Sequence, residues 1–172
     1  GHVYAISQGP YSGTKCLKAE ANSVWNFGGK VALDDAAAIL KAQEECCQLG
    51  LDIDNTSSVI AWAIDCFQNG IISKEDADGL ELNWGNHGAM LELIKKIAYR
   101  EGFGNILAEG SLRASGIIGK GSEKYSFHMK GQDLIEGIRS MKGWALGVVV
   151  SARGGAHTRG ALATESRKYS SE

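Results

Sequence analysis

From Asp34 onward the apolar residues fall at helical spacing. Ala36, Ile39, Leu40, Cys46 and Cys47 recur three, four and seven positions apart, the period of one helix face. Asp34 offers an N-cap and Gly50 a left-handed stop, so the pattern predicts a helix over 35–49. A second helix starts near Asn55 or Thr56 and closes at Asn69-Gly70. Its stripe of Val59, Ile60, Ala63, Ile64 and Phe67 is joined by a second apolar face at Trp62 and Cys66. A helix apolar on two faces belongs at the centre of a fold. Ser73 and Asp76 have the spacing of a capping box and predict a short helix toward Gly79. After an Asn86 cap, Met90, Leu91, Ile94, Ile97 and Ala98 form another stripe with Glu92, Lys95, Lys96 and Arg100 facing water, ended by Gly102. Phe103, Ile106, Leu107, Ala114 and Ile117 predict a further helix interrupted at Gly110. Strand signals are confined to 3–6, 125–129 and 148–150, each too short to define a sheet. The expected class is mainly α, a multihelical array.

Composition sharpens this picture in three ways. Proline occurs once among 172 residues and glycine 23 times, so turns are built by residues that tolerate positive φ. Ten of those glycines lie between 116 and 160, where close backbone approach to a ligand or another surface becomes possible. Basic and acidic side chains number 18 and 20, which leaves no field to gather nucleic acid. No apolar run nears the roughly 20 residues that a bilayer crossing needs; neither nucleic acid nor a membrane is an expected partner. Cys16, Cys46, Cys47 and Cys66 show no CxxC spacing and are expected to be reduced thiols in cytoplasm. The chain starts at Gly1 and stops at Glu172 soon after a glycine-rich, histidine-containing stretch, which predicts a piece of a longer polypeptide.

Two segments carry the candidate chemistry. Ser151-Ala152-Arg153-Gly154-Gly155-Ala156-His157-Thr158-Arg159-Gly160 sets two guanidiniums and an imidazole beside glycines that expose backbone N–H groups. Arginine matches anions with paired donors and histidine exchanges protons near neutral pH; the same residues would also serve a surface turn with ordinary ion pairs. Cys47-Gln48-Leu49-Gly50-Leu51-Asp52 ends the first helix. Asp52 there either caps the next helix or accepts hydrogen bonds from the N–H groups of a bound heterocycle. His2, His87 and His128 are isolated. No HExxH or ExxH metal motif occurs, and GxGxxG, GxxxxGK[ST] and GxSxG are absent, which excludes the Rossmann, P-loop and α/β-hydrolase readings.

The order of short motifs then carries a resemblance. Gly9-Pro-Tyr-Ser-Gly-Thr14, Glu20-Ala-Asn-Ser-Val-Trp25, Leu49-Gly-Leu-Asp52, Gly70-Ile-Ile-Ser-Lys-Glu-Asp76, Gly79-Leu-Glu-Leu-Asn-Trp-Gly85, Ile97-Ala-Tyr-Arg-Glu-Gly-Phe-Gly104, Leu107-Ala-Glu-Gly110 and Arg153-Gly-Gly-Ala-His-Thr-Arg-Gly160 together resemble the tungsten-containing aldehyde ferredoxin oxidoreductase family. The resemblance implies an enzyme in which a β-rich N-terminal domain and two helical domains clasp a tungsten bis-pyranopterin. A neighbouring [4Fe-4S] cluster, held by residues outside this chain, passes electrons to ferredoxin or another electron-transfer subunit. Residues 1–32 would follow the N-terminal domain, 33–118 form a helical domain, and 119–172 face the cofactor.

On that resemblance Gly50, Leu51 and Asp52 form a pterin-binding corner begun by Cys47, and Arg153 and Arg159 flank the cofactor. His157 assists proton transfer near tungsten with Asn22 as a neutral neighbour, and no residue here ligates metal. Two departures stand out. Cys47 replaces the usual Asp or Asn of the corner, and Asn22 replaces a glutamate, so an amide stands where a carboxylate base would act. The expected reaction of the whole protein is oxidation of an aldehyde to a carboxylic acid. Reduction of an aromatic acyl thioester is the alternative within the family, and a non-catalytic helical module that binds the remainder of its own polypeptide or a partner is the alternative outside it.

Overall fold

A computed structural model describes residues 2–17, 19, 21–134 and 141–155. A hairpin opens the chain: β1 (Val3–Ala5) pairs antiparallel with β2 (Lys15–Leu17). Helices α1 (Ala21–Phe27), α2 (Ala36–Leu49), α3 (Ile53–Gln68), α4 (His87–Tyr99), α5 (Phe103–Leu107) and α6 (Ser111–Ile118) follow. A second hairpin, β3 (His128–Met129) and β4 (Gln132–Asp133), precedes α7 (Lys142–Val150). The chain is mainly α, as the periodicity predicts.

Helix α3 lies at the centre because it is apolar on two faces. It touches α1, α2, α4, α5 and α6, and Ile60, Ala63 and Cys66 are fully buried along it. Around it Phe27, Ala42, Leu93, Ile94, Phe103 and Leu107 complete one core, each large side chain contributing about 1.5–3 kcal/mol by leaving water. Burial also pushes the Cys66 thiol up to about 12 and the Cys46 thiol higher still, so both stay protonated. All four cysteines are free, and Cys47 alone of them is exposed. Helices α4 and α5 approach so closely at Gly104 that a Cβ there would overlap the Lys96 backbone. The indole of Trp62 donates to the Ser122 carbonyl at 3.1 Å, tying the core to the glycine-rich segment. Among the described residues no helix is long and apolar enough to cross a membrane.

The caps follow the sequence with small shifts. Asp35, rather than Asp34, caps α2, and Asn86 caps α4. Helix α3 starts at Ile53 with Asp52 as its cap, ahead of the Asn55 or Thr56 start that the pattern gives. Ser73 and Asp76 do form their reciprocal box, at 3.0 and 3.1 Å. No helix follows, because Asp78 and Gly79 take left-handed φ of 55° and 83° and the segment remains a set of turns. Phe103 to Ile117 does break at Gly110, into α5 and α6. Of 125–129 only His128 and Met129 are strand. Val148–Val150 is the last turn of α7 instead of a strand: Val148 is buried while Val149 and Val150 are exposed. Strand preference in β-branched residues expresses packing on a sheet, and none of the described strands pairs with this run.

Candidate functional site

The corner between α2 and α3 is built by two capping events. Gly50, at φ 70°, returns its N–H to the last carbonyls of α2 and turns the chain. Asp52 then caps α3, its Oδ1 accepting from the Asn55 backbone N–H and from Asn55 Nδ2, both at 2.8 Å. Among the described residues Asp52 Oδ2 carries no hydrogen bond. The capping role weighed for Asp52 is therefore present, and one carboxylate oxygen remains available.

A cavity of about 300 Å³ opens beside this corner, at the N-terminal end of α3. Val59, Ile97 and Leu107 give it an apolar floor, and Asp52, Glu109 and Asp133 bring carboxyl groups to its wall. Hydrogen bonds from Arg100 and then Arg113 hold the Glu109 carboxyl below the usual carboxylate range, so it is ionised at neutral pH. Asp133 behaves oppositely. Its side chain is 4% exposed, and this desolvation pushes its carboxyl above the ordinary value against the pull of Ser111, His128 and Lys30. Asp133 accepts from the Ser111 hydroxyl and from the Ser111 N–H at 3.4 Å. Gly110, the N-cap of α6, has no side chain to offer, so the hairpin supplies the acceptor that the helix end lacks.

The second corner meets the same hairpin. Lys130 Nζ donates to the Ser151 carbonyl at 2.8 Å. A Cβ on Gly154 would overlap the Met129 carbonyl oxygen, and one on Gly155 would run into Gln132; both glycines are required by this contact. Arg153 beside them is exposed. His157 and Arg159 lie outside the described residues.

The remaining predicted residues distribute unevenly. Leu51 and Asp52 line the cavity and Gly50 turns the chain just before them. Cys47 is on the exposed side of α2, its Sγ accepting from Gln43 Nε2 at 3.2 Å. Asn22 is exposed on α1, one turn before Asn26. Asn26 is fully buried and accepts from Lys30 Nζ at 2.6 Å and Ser57 Oγ at 2.9 Å while donating to Asp54, which ties α1 to the first turn of α3. Asn55, Gln132 and Asp133 escaped the sequence reading. They are lone polar residues at a helix start or in a two-residue strand, and nothing in the sequence shows that they converge. Among the described residues no three His, Cys, Asp or Glu side chains gather as a metal site.

Fold and cavity define a helical domain with a polar-walled cavity at one end of its central helix. The chain belongs to the aldehyde ferredoxin oxidoreductase family: the family described as "Aldehyde ferredoxin oxidoreductase, domains 2 & 3" matches residues 1–171. It is 36% identical over 142 residues to a tungsten-containing aldehyde ferredoxin oxidoreductase of Pyrococcus furiosus, covering 81% of this chain and 23% of that protein. It is 35% identical over 160 residues to the WOR-like subunit of an aliphatic sulfonate oxidoreductase of the same organism, covering 89% and 26%. Among solved structures it is similar to the active site complex BamBC of benzoyl coenzyme A reductase in complex with 1,5 dienoyl-CoA. The TM-score is 0.66 at 25% identity, over 76% of this chain and 20% of that one. The chain thus spans about a quarter of the length of these curated relatives.

Proposed function

We propose that the polypeptide carrying this chain is a cytoplasmic tungsten-pterin oxidoreductase and that the cavity at Leu51 and Asp52 forms part of its cofactor wall. The observation that carries this reading is the Asp52 carboxylate, which caps α3 with one oxygen and leaves the other free beside a cavity. A pyranopterin fits such a wall. Its ring N–H groups need acceptors, which Asp52 and ionised Glu109 offer, and its flat body needs the apolar floor of Val59, Ile97 and Leu107. When bound, the cofactor supplies the two-electron redox chemistry.

The chain's own residues bind, orient and carry protons. Asp52 accepts from the heterocycle; Arg153 and Arg159 balance its negative charge; His157, two residues beyond Gly155, takes up a proton as a neutral imidazole, with Asn22 as a hydrogen-bonding neighbour. In the aldehyde reading, an aldehyde and water yield a carboxylic acid, two electrons and two protons. A [4Fe-4S] cluster held by residues outside this chain would supply the electron path to ferredoxin or another electron-transfer subunit. Residues 1–32 then follow the N-terminal domain, 33–118 form the helical support, and 119–172 face the cofactor.

Reduction of an aromatic acyl thioester is the second reading. It is favoured by the likeness to the benzoyl coenzyme A reductase complex and by the amide at Asn22, which cannot serve as a carboxylate base. The test is metal and pterin analysis of the complete polypeptide, followed by assay with aldehydes and with an aromatic acyl thioester. Tungsten and pterin lost on Asp52→Ala and aldehyde oxidation in the parent support the first reading. Thioester reduction without aldehyde oxidation selects the second, and absence of both tungsten and pterin leaves a non-catalytic helical module.

A further inference from the structure

Gln132 touches both corners, and neither the sequence motifs nor the proposed cofactor chemistry gives it a task. Its Nε2 donates to Asn55 Oδ1, and Asn55 in turn donates through Nδ2 to Asp52 Oδ1 at 2.8 Å. On its other side its Cγ and carbonyl stand where any side chain at Gly155 would have to go. Gln132 lies in β4, and both strands of its hairpin are two residues long, too short to hold a position by ladder hydrogen bonds. The hairpin therefore sits where its ties put it: Gln132 on Asn55, Asp133 on Ser111 and Lys130 on Ser151.

The direction of the amides matters. Asn55 has one donor end and one acceptor end. A donor from Gln132 occupies the acceptor end, so the donor end is turned to Asp52. That arrangement engages Asp52 Oδ1 within the protein and leaves Oδ2 beside the cavity. A carboxylate at position 132 would invert it: Asn55 would offer its N–H to residue 132 and present its oxygen to the Asp52 carboxylate, an unfavourable pair.

We propose that Gln132 is the positioning residue of this site, setting the Asp52 carboxylate through Asn55 and coupling that corner to the Gly154-Gly155 turn. The ligand class rests on the cofactor reading above; the coupling between the two corners does not. The relay acts on whatever N–H-bearing heterocycle Asp52 receives.

The test compares Gln132→Glu, close in shape but reversed in hydrogen-bond polarity, with Gln132→Met, similar in size but without polarity, in the complete polypeptide. Three quantities are read: tungsten and pterin retained per polypeptide, the unfolding midpoint of the cofactor-free form, and amide exchange across 52–56 and 151–155. Gln132→Glu is expected to lower cofactor retention about ten-fold, with Gln132→Met intermediate, as loss of one hydrogen bond to a charged group predicts. The two variants should share one midpoint, and exchange should quicken in both segments together. Retention and exchange unchanged in Gln132→Glu would overturn the positioning role while leaving the cofactor reading intact. Equal losses in both variants, tracking a lowered midpoint, would reduce Gln132 to packing and also overturn it. If the parent holds neither tungsten nor pterin, the cofactor reading fails and the exchange data decide the coupling alone: faster exchange in both segments sustains it, and a change confined to 128–133 sinks it.

Discussion

The block from α2 to α5 and the segment after Gly110 are held together by different forces. In the first, Ile60, Leu93, Ile94, Phe103 and Leu107 are buried almost completely, and burial of apolar surface has no preferred direction. In the second, the hairpin is held by directed ties: Ser111 to Asp133, Lys130 to Ser151, Gln132 to Asn55. A core of the first kind tolerates shape-conserving changes. A seat of the second kind fails when one donor or acceptor is removed, and such low-stability elements are where ligand-facing parts are commonly found. The cavity therefore draws on both: its floor of Val59, Ile97 and Leu107 belongs to the folding core, and part of its wall is set by the directed ties of the hairpin.

The largest effect tests the first region. Leu93→Ala should cost about 2–5 kcal/mol, since a fully buried leucine leaves both lost transfer energy and a cavity, and denaturant unfolding reads it as a lower midpoint at unchanged slope. Gly154→Ala should cost less, about 1–3 kcal/mol, because a Cβ must displace the Met129 carbonyl. Hydrogen exchange should rise at 128–133 while α3 and α4 keep their protection; equal loss in both regions would erase the distinction. Asp52→Ala removes the α3 cap at about 1 kcal/mol, read by thermal unfolding, and lies on the boundary between the regions.

The smallest effect is a slope with pH. Burial raises the folded-state value of Asp133 above its ordinary 3.8. Its contribution to stability is complete below 3.8 and is lost as pH rises through the raised value. Asp133→Asn keeps an acceptor for Ser111 and cannot ionise, so the stability of the parent relative to this variant should fall with rising pH across that window. A parallel pair of curves would show that Asp133 is not desolvated as its burial implies.

Helices α2, α3 and α4 were legible because their stripes span three or more turns and their caps are local, as at Asn86. The short elements were not. Residues 74–79 carry a capping box yet form turns, since left-handed φ at Asp78 and Gly79 stops the helix that the box would start. Val148–Val150 has strand composition and helical geometry. At the site, Gly50-Leu51-Asp52 was readable as a corner because glycine and aspartate carry their turn chemistry with them. Asn55, Gln132 and Asp133 were not, because a lone polar residue in a sequence does not disclose its partner 77 residues away.

The sequence alone determined the helical class, the central place of α3, the glycine and aspartate of the first corner, and a family resemblance spread over eight short motifs. These follow from periodicity and from backbone preferences that act within a few residues. The tertiary structure alone decided that Asp52, Glu109 and Asp133 border one cavity and that Gly154 and Gly155 rest on the hairpin at its edge. Such convergence depends on how helices cross and where a hairpin is seated, which is fixed by packing between residues distant in the chain and leaves no local signature.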